Sequence, residues 1–419
     1  MLDFIGGANR RFRFDLRFRA LLGGHRLDLI RQIEEGFPRL PSGCAIQMDR
    51  VATKIVLQNI KDSLGSSFAS LVSELRAMAE DRRDAGAGPC SIGLGDFLRD
   101  AALELDDLYK SNCWTWSRLR REAGLSSVPR GPDEDQLSRS IPRLLHLDDP
   151  QRLVLYRRAV TAQLSPSDLD QNSLSGRALM SLHFGLWGTD RSSHCLEDSL
   201  KRLVANSAFA AELAELFDVL EDQADHLPEA LDSHMQWDYG IPIAVHSRAT
   251  LDEILSAFGR MTFDRPNRLR QGVDFDKATK SDLFFVTLEK AEAHYSPTTM
   301  YRDYAISPDL FHWESQSTAS VRSPTGQRYI HHQTQGSHIL LFVRHRKHEA
   351  SRTAAYTCLG AADYVSHEGS KPIAITWRTE KKMAANISPK ANRPGVFMSQ
   401  SPQEWDVAVV KVVPDDPSS

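Results

Sequence analysis

The stretch Ile339-Leu340-Leu341-Phe342-Val343-Arg344 decides the class of the fold. It is a short apolar run rich in β-branched and aromatic residues, the composition of a strand. Runs of the same kind recur around it, at Leu283 to Leu288, Tyr329 to His331, Tyr356 to Val365, Pro372 to Trp377 and Trp405 to Val413. Gly, Ser and Pro clusters separate them, which predicts a compact antiparallel barrel or sandwich over residues 236–416.

Upstream the texture differs. Ile241 to His246 still reads as a strand, and Thr250 is placed to cap a helix from Leu251 to Phe258. Before that, apolar residues recur at helical spacing: Val51, Ile55, Val56, Ile60 and Leu64, then Phe68, Leu71, Leu75 and Met78. Helical patterns continue at His25 to Glu35, Phe97 to Leu108, Gln136 to Leu147, Pro150 to Ala162 and Leu196 to Leu220. Residues 37–235 are therefore expected to be all α. Trp114 and Trp116 read as packing anchors within it. Leu2 to Ile5, closed by Gly6-Gly7, reads as a buried strand that starts with no preceding turn, so residues 1–36 are expected to be a fragment of a larger sheet. The fold class is thus α+β. Arg10 to Arg19 alternates arginines with phenylalanines, which fits a phosphate-tracking segment or simply an element with one buried face.

Composition narrows the function classes. The net charge of −4 does not mark a nucleic-acid binder on average, so basic character must be sought regionally. The five cysteines are scattered without a CxxC pair, which argues against a zinc site or a disulfide framework and for a reduced, cytoplasmic protein. No run approaches a membrane span of roughly 18 apolar residues. No GxxxxGK[ST], HExxH or GxSxG occurs, so nucleotide hydrolysis, zinc proteolysis and the serine-hydrolase elbow lack their motifs. No catalytic residue, metal or cofactor is expected.

The basic stretch is Arg322 to Arg352. Arg322, Arg328, Arg344, Arg346, Lys347 and Arg352 face a single acid, Glu349, and five histidines lie among them. Such local charge suits a polyanion; a solvated hairpin that keeps a sheet edge from aggregating has the same composition. The neighbouring Leu310-Phe311-His312-Trp313-Glu314-Ser315-Gln316 mixes aromatics with hydrogen-bonding groups, which fits a pocket that stacks an unpaired base, or the filling of the β core. The expected nucleic-acid contacts are Arg328, Arg344, Arg346, Lys347, Trp313, His312 and Gln316, with DNA preferred to RNA.

Several longer motifs carry a family resemblance: Asp303-Tyr304-Ala305-Ile306-Ser307-Pro308, Phe311 to Gln316, Thr325-Gly326-Gln327-Arg328-Tyr329-Ile330, Leu340 to Arg344 and Asp363 to Pro372. They resemble a bacterial domain of unknown function that closes large superfamily-two DEAD/DEAH-box helicases, many of which begin with a phospholipase D-like nuclease. Leu2 to Gly6, Phe12 to Asp15, Ala20 to Gly24 and Ile33 to Pro38 resemble the segment after the last helicase motif of those proteins. The resemblance implies that residues 1–36 are a remnant of the second RecA-like domain, and that motor and nuclease lie on missing sequence or a separate subunit. The leading expectation is a non-motor accessory or target-recognition part of a restriction or defence helicase that engages nucleic acid. An adaptor docking a helicase or nuclease subunit is the alternative, and a cryptic nuclease using His312, Glu314 and His331 is the third.

Overall fold

The computed structural model describes residues 67–383 apart from 85–91, 102, 111–113, 225–228, 232–236, 238–239, 267–271, 289–302 and 350–351. Outside that range it describes residues 2–4, 32–34, 36–37, 46, 48, 53–54, 56–57, 387 and 409–411. The chain divides into two units, Phe68–Ile387 and a second formed by Met1–Ser67 with Ser388–Ser419.

In the second unit, β1 (Leu2–Phe4) runs antiparallel to Val409–Lys411, with Leu2 opposite Lys411. The backbone groups of a strand need partners, and here the valine-containing run near the carboxy terminus supplies them. The Arg10 to Arg19 alternation lies outside the described residues, and of the helix expected at His25 to Glu35 only Gln32, Ile33 and Glu34 are described, as helix.

The larger unit begins with helices: α1 (Phe68–Asp84), α2 (Leu94–Asp100), α3 (Leu105–Leu108), α4 (Trp116–Glu122), α5 (Glu134–Ser138), α6 (Pro150–Val160), α7 (Leu174–Trp187), α8 (Leu196–Val204) and α9 (Ser207–Asp222). Their starts follow local chemistry. Thr115, Asp149, Ser173 and Asn206 each accept a hydrogen bond from a first-turn amide. Carboxylates of α9 finish the job on two neighbours. Glu212 accepts from the amides of Trp116 (2.7 Å) and Ser117 (3.0 Å), and Glu215 from that of Leu94 (2.6 Å). Trp116 is buried and stacks on Phe97, an anchor as expected. The single helix anticipated from Gln136 to Leu147 is instead α5 followed by a 3₁₀ turn at Ile141–Arg143, where Pro142 has no amide to donate.

The second half carries β2 (Glu229–Ala230), β3 (Ala244–Val245), β4 (Arg248–Ala249), α10 (Leu251–Ala257), β5 (Val273–Asp276), β6 (Ser281–Thr287), β7 (Tyr304–Ala305) and β8 (Leu310–Glu314). It continues with α11 (Pro324–Ile330), β9 (His338–Arg344), β10 (His348–Glu349), β11 (Arg352–Thr353), β12 (Tyr356–Glu368) and β13 (Ala374–Thr379). Thr250 caps α10 as expected, in a reciprocal box with Glu253. One eight-stranded sheet runs β5-β6-β9-β12-β13-β8-β7, and β4 pairs with the start of β12. β6 and β9 are parallel while the other pairs are antiparallel. The α+β class is as expected, while the sheet is open and mixed: it is not a closed barrel, and the parallel β6–β9 pair departs from the wholly antiparallel barrel or sandwich anticipated. Tyr329 to His331, expected as a strand, forms the end of α11, because Ser323 caps that helix and Pro324 opens it.

β12 holds the sheet together. Its first half pairs with β9 and its second with β13, with register shifts at Cys358/Gly360 and Tyr364/Ser366. Such bulges let one strand turn a corner between two sheet halves. Gly360 sits at the first with φ +81, a conformation other residues resist. The halves fold over a core of Phe284, Trp313, Tyr329, Leu341, Ile375 and Trp377, while Leu283, Phe285, Leu340 and Phe342 face the helices.

Charged side chains lock the helices to the sheet. Glu253, 2 % exposed, bonds His146 at 2.7 Å and lies 3.5 Å from Arg152, whose guanidinium also donates to the Arg248 carbonyl at 2.7 Å. Asp148 in turn binds Arg248 through backbone (2.7 Å) and side chain (2.9 Å). Burial opposes ionisation of Glu253, but His146 and Arg152 outweigh it and bring its pKa from 4.5 to about 2. A carboxyl with a lowered folded-state pKa stabilises above its ordinary value and loses that contribution as pH falls toward the lowered one. Stability is predicted to drop by on the order of 3 kcal/mol from this group between about pH 4.5 and pH 2. Denaturant melts across that range should show a flatter profile for Glu253→Gln; an unchanged profile contradicts the assignment.

Candidate anion-binding cleft

The residues singled out in the sequence do not converge on one site. Arg328, on α11, forms a two-pronged pair with the fully buried Asp282 of β6 at 2.7 and 2.8 Å. Its guanidinium also lies 4.1 Å from the Phe275 ring. Burial raises the Asp282 carboxyl, and the hydrogen bond to Asp282 raises Arg328, which stays charged. Arg344, at the far end of β9, donates to Thr287 Oγ1 and to the Ala354 carbonyl, both at 3.0 Å, and covers the Tyr356 ring at 4.3 Å. Asp282 lies opposite Ile339 and Thr287 opposite Arg344. Five residues of strand therefore separate the two arginines' anchors, roughly 16 Å.

The others are equally dispersed. Arg352 pairs with Asp106 and donates to the Pro142 carbonyl at 2.9 Å, so it pins the β10–β11 hairpin to the helices. Arg346 is half-buried and Lys347 exposed at that hairpin's start. Trp313, 4 % exposed, stacks on Phe284 at 4.0 Å and lies edge-on to Tyr329 at 5.5 Å. Its ring fills the core between the sheet halves, which leaves no face for a base. Half-buried His312 stacks on Tyr304 at 4.7 Å, and Gln316 accepts from the Tyr329 hydroxyl at 3.5 Å. Of the residues named for a nuclease, His312 and Glu314 project from one side of β8, whereas His331 ends α11.

A cleft elsewhere gathers charge that the sequence reading missed. It encloses about 340 Å³ between three segments: Gln171, Asn172, Arg177 and Met180 at and just before the start of α7; Ser256, Phe258 to Thr262 and Arg265 at and after the end of α10; and Asp276 to Ala278 at the turn between β5 and β6. Each segment is held by its own chemistry. Ser173 caps α7, and the buried Arg177 reaches across to the carbonyls of Ala257 (3.1 Å) and Asn172 (3.4 Å). Gly259 takes φ +63, a turn conformation that glycine adopts without strain.

Arg260 forms a two-pronged bond to Asp274 at 2.8 and 3.2 Å through Nε and Nη2, which orients the guanidinium and leaves Nη1 outside that pair. That bond raises its pKa. Thr262 and Arg265 close a tight turn through reciprocal backbone bonds, and exposed Arg265 donates to the Gly259 carbonyl at 3.4 Å. Asp276 locks the β5–β6 turn by accepting from Thr279 N (2.8 Å) and Oγ1 (2.7 Å), and presents exposed Lys277 beside it. Four cations thus line the cleft, with Asp276 the one acid among its lining residues. The sequence signal was the density of Arg260, Arg265, Arg268 and Arg270 within eleven residues.

A family model described as a domain of unknown function (DUF3427) matches residues 249–389, so the chain contains that domain. The match starts within β4, one residue before the Thr250 cap. No curated protein matches the chain. Among the described residues no helix is long and apolar enough to cross a membrane.

The packing makes a distinction that can be measured. Trp313→Ala should lower unfolding stability by about 3–5 kcal/mol, the usual cost of emptying a large buried aromatic site. It should leave the binding of DNA per folded molecule unaltered. A variant of wild-type stability with changed base preference would return Trp313 to a binding role.

Proposed function

We propose that this chain is a non-motor module that engages nucleic acid through its phosphates, using the cleft between α7, the segment after α10 and the β5–β6 turn. The observation that supports the reading most is the convergence of Arg177, Arg260, Arg265 and Lys277 from three segments on one concave surface. Positive charge gathered on a concave surface attracts polyanions. The basic stretch from Arg322 to Arg352 contributes less than its composition implies, because Arg328, Arg344 and Arg352 bind inside the protein. The role in a restriction or defence helicase, with the motor supplied elsewhere, belongs to the same proposal and rests on the resemblance of the motifs. DNA is the preferred partner.

With about two or three phosphates neutralised, log affinity for duplex DNA should fall against log salt with a slope of about −2 to −3. Arg265→Ala with Lys277→Ala should weaken binding of all sequences alike and flatten the slope by about 1 to 2, since both side chains are exposed and bind phosphate nonspecifically. Fluorescence anisotropy at several salt concentrations measures this. If the double variant binds as wild type while Arg346→Ala with Lys347→Ala does not, the contact lies on the hairpin. If the wild-type chain binds no DNA at low salt, a protein-docking role replaces this reading.

A further inference from the structure

We infer that the bound nucleic acid extends past the cleft over the β5–β6 turn, where Lys280 takes a further phosphate; the inference rests on the nucleic-acid reading above. The turn occupies residues 277–280, between Asp276 at the end of β5 and Ser281 at the start of β6. Lys277 and Lys280 stand at its two ends, and both are exposed. Lys277 lines the cleft, whereas Lys280 lies beyond its lining, which stops at Ala278 in this turn. Backbone conformation is the first argument. Lys280 takes φ +50, a region where a Cβ crowds the backbone and which glycine occupies freely. The two adjacent turns do carry glycine at such positions, Gly259 in the cleft with φ +63 and Gly336 before β9 with φ +61. A lysine kept at a strained position is accounted for when its side chain has a use.

The fold itself makes no use of that side chain, which is the second argument. Lys280 serves the fold through its carbonyl, which accepts from the His338 amide at 3.0 Å and ties the turn to the start of β9. Any residue supplies a carbonyl. The turn takes its shape from buried Asp276, which accepts from the amide and hydroxyl of Thr279 at 2.8 and 2.7 Å, and from Ser281, which donates to the Thr279 carbonyl at 3.2 Å. Among the described residues neither the Lys277 nor the Lys280 ammonium has an ion-pair or hydrogen-bond partner. A backbone fixed in this way needs little reordering when a strand arrives. Only Ala278 and Thr279 separate the two lysines, so a strand held at Lys277 is within reach of Lys280. Lysine suits the task, being a compact charge on a flexible stem that meets a phosphate without one required geometry.

The test separates the charge from the backbone. In the full chain, Lys280→Gly removes the first and relieves the second, so binding and stability should not fall together. Anisotropy with duplex DNA at several salt concentrations should show weaker binding, with the slope of log affinity against log salt flatter by about 0.9, the share of one phosphate. Thermal melting of the same variant should give a midpoint at or above that of the wild type. Lys280→Arg returns the charge to the same backbone and should restore the slope. An unchanged slope in Lys280→Gly, while Arg265→Ala with Lys277→Ala flattens it, overturns the inference and keeps the cleft. No effect of either variant overturns both readings. A flatter slope in Lys280→Gly with wild-type binding by the double variant takes the cleft out of the path and overturns the inference as well. So does a Lys280→Gly midpoint below the wild type, because the lysine then serves the fold, and so does a Lys280→Arg chain that binds like Lys280→Gly, because the charge is then not the cause.

Discussion

Two neighbouring strands that are apolar on both faces constrain everything else in the larger unit. In β6 and β9, Phe284, Val286, Ile339, Leu341 and Val343 point into one core, while Leu283, Phe285, Leu340 and Phe342 point into the other. Water cannot be left on either side of such strands without losing roughly 1.5–3 kcal/mol for each large side chain exposed. The helices cover one face. The second half of the sheet must cover the other, and it does so because β12 bends at Gly360 and carries β13, β8 and β7 over Trp313 and Tyr329.

The cleft follows from that arrangement. α10 lies against α7, where Ser181 donates to the Glu253 carbonyl at 3.1 Å and Arg177 to that of Ala257. The segment after α10 then leaves the helix beside the β5–β6 turn, since Arg260 is tied to Asp274 of β5. Three segments remote in sequence are thus brought to one surface by contacts whose first purpose is packing and capping. Of the cations there, Arg265 and Lys277 face solvent.

Much of the fold was legible because its signals were local. The Thr250 cap, the apolar runs of β6, β9 and β12, and the helical spacing of Leu71 and Leu75 each depend on a few adjacent residues. α7 escaped notice for a physical reason: almost every residue from Gly176 to Trp187 is buried, so it shows no polar face and no helical stripe. Tyr329 misled because strand-forming residue types followed a Ser-Pro helix start. The parallel pairing of β6 with β9 has no local signature at all, being set by a crossover through β7, β8 and α11. The site was less legible still. Arg328 and Arg344 looked available because sequence shows charge but not the partner, and Asp282 and Thr287 lie more than forty positions away.

Hydrogen exchange on the full chain, with and without DNA, tests the account most directly, because it reports every segment in one experiment. Protection should rise together at 171–177, 259–265 and 276–278, the three segments that form the cleft. Protection confined to the hairpin around Lys347, with those three segments unchanged, would contradict it.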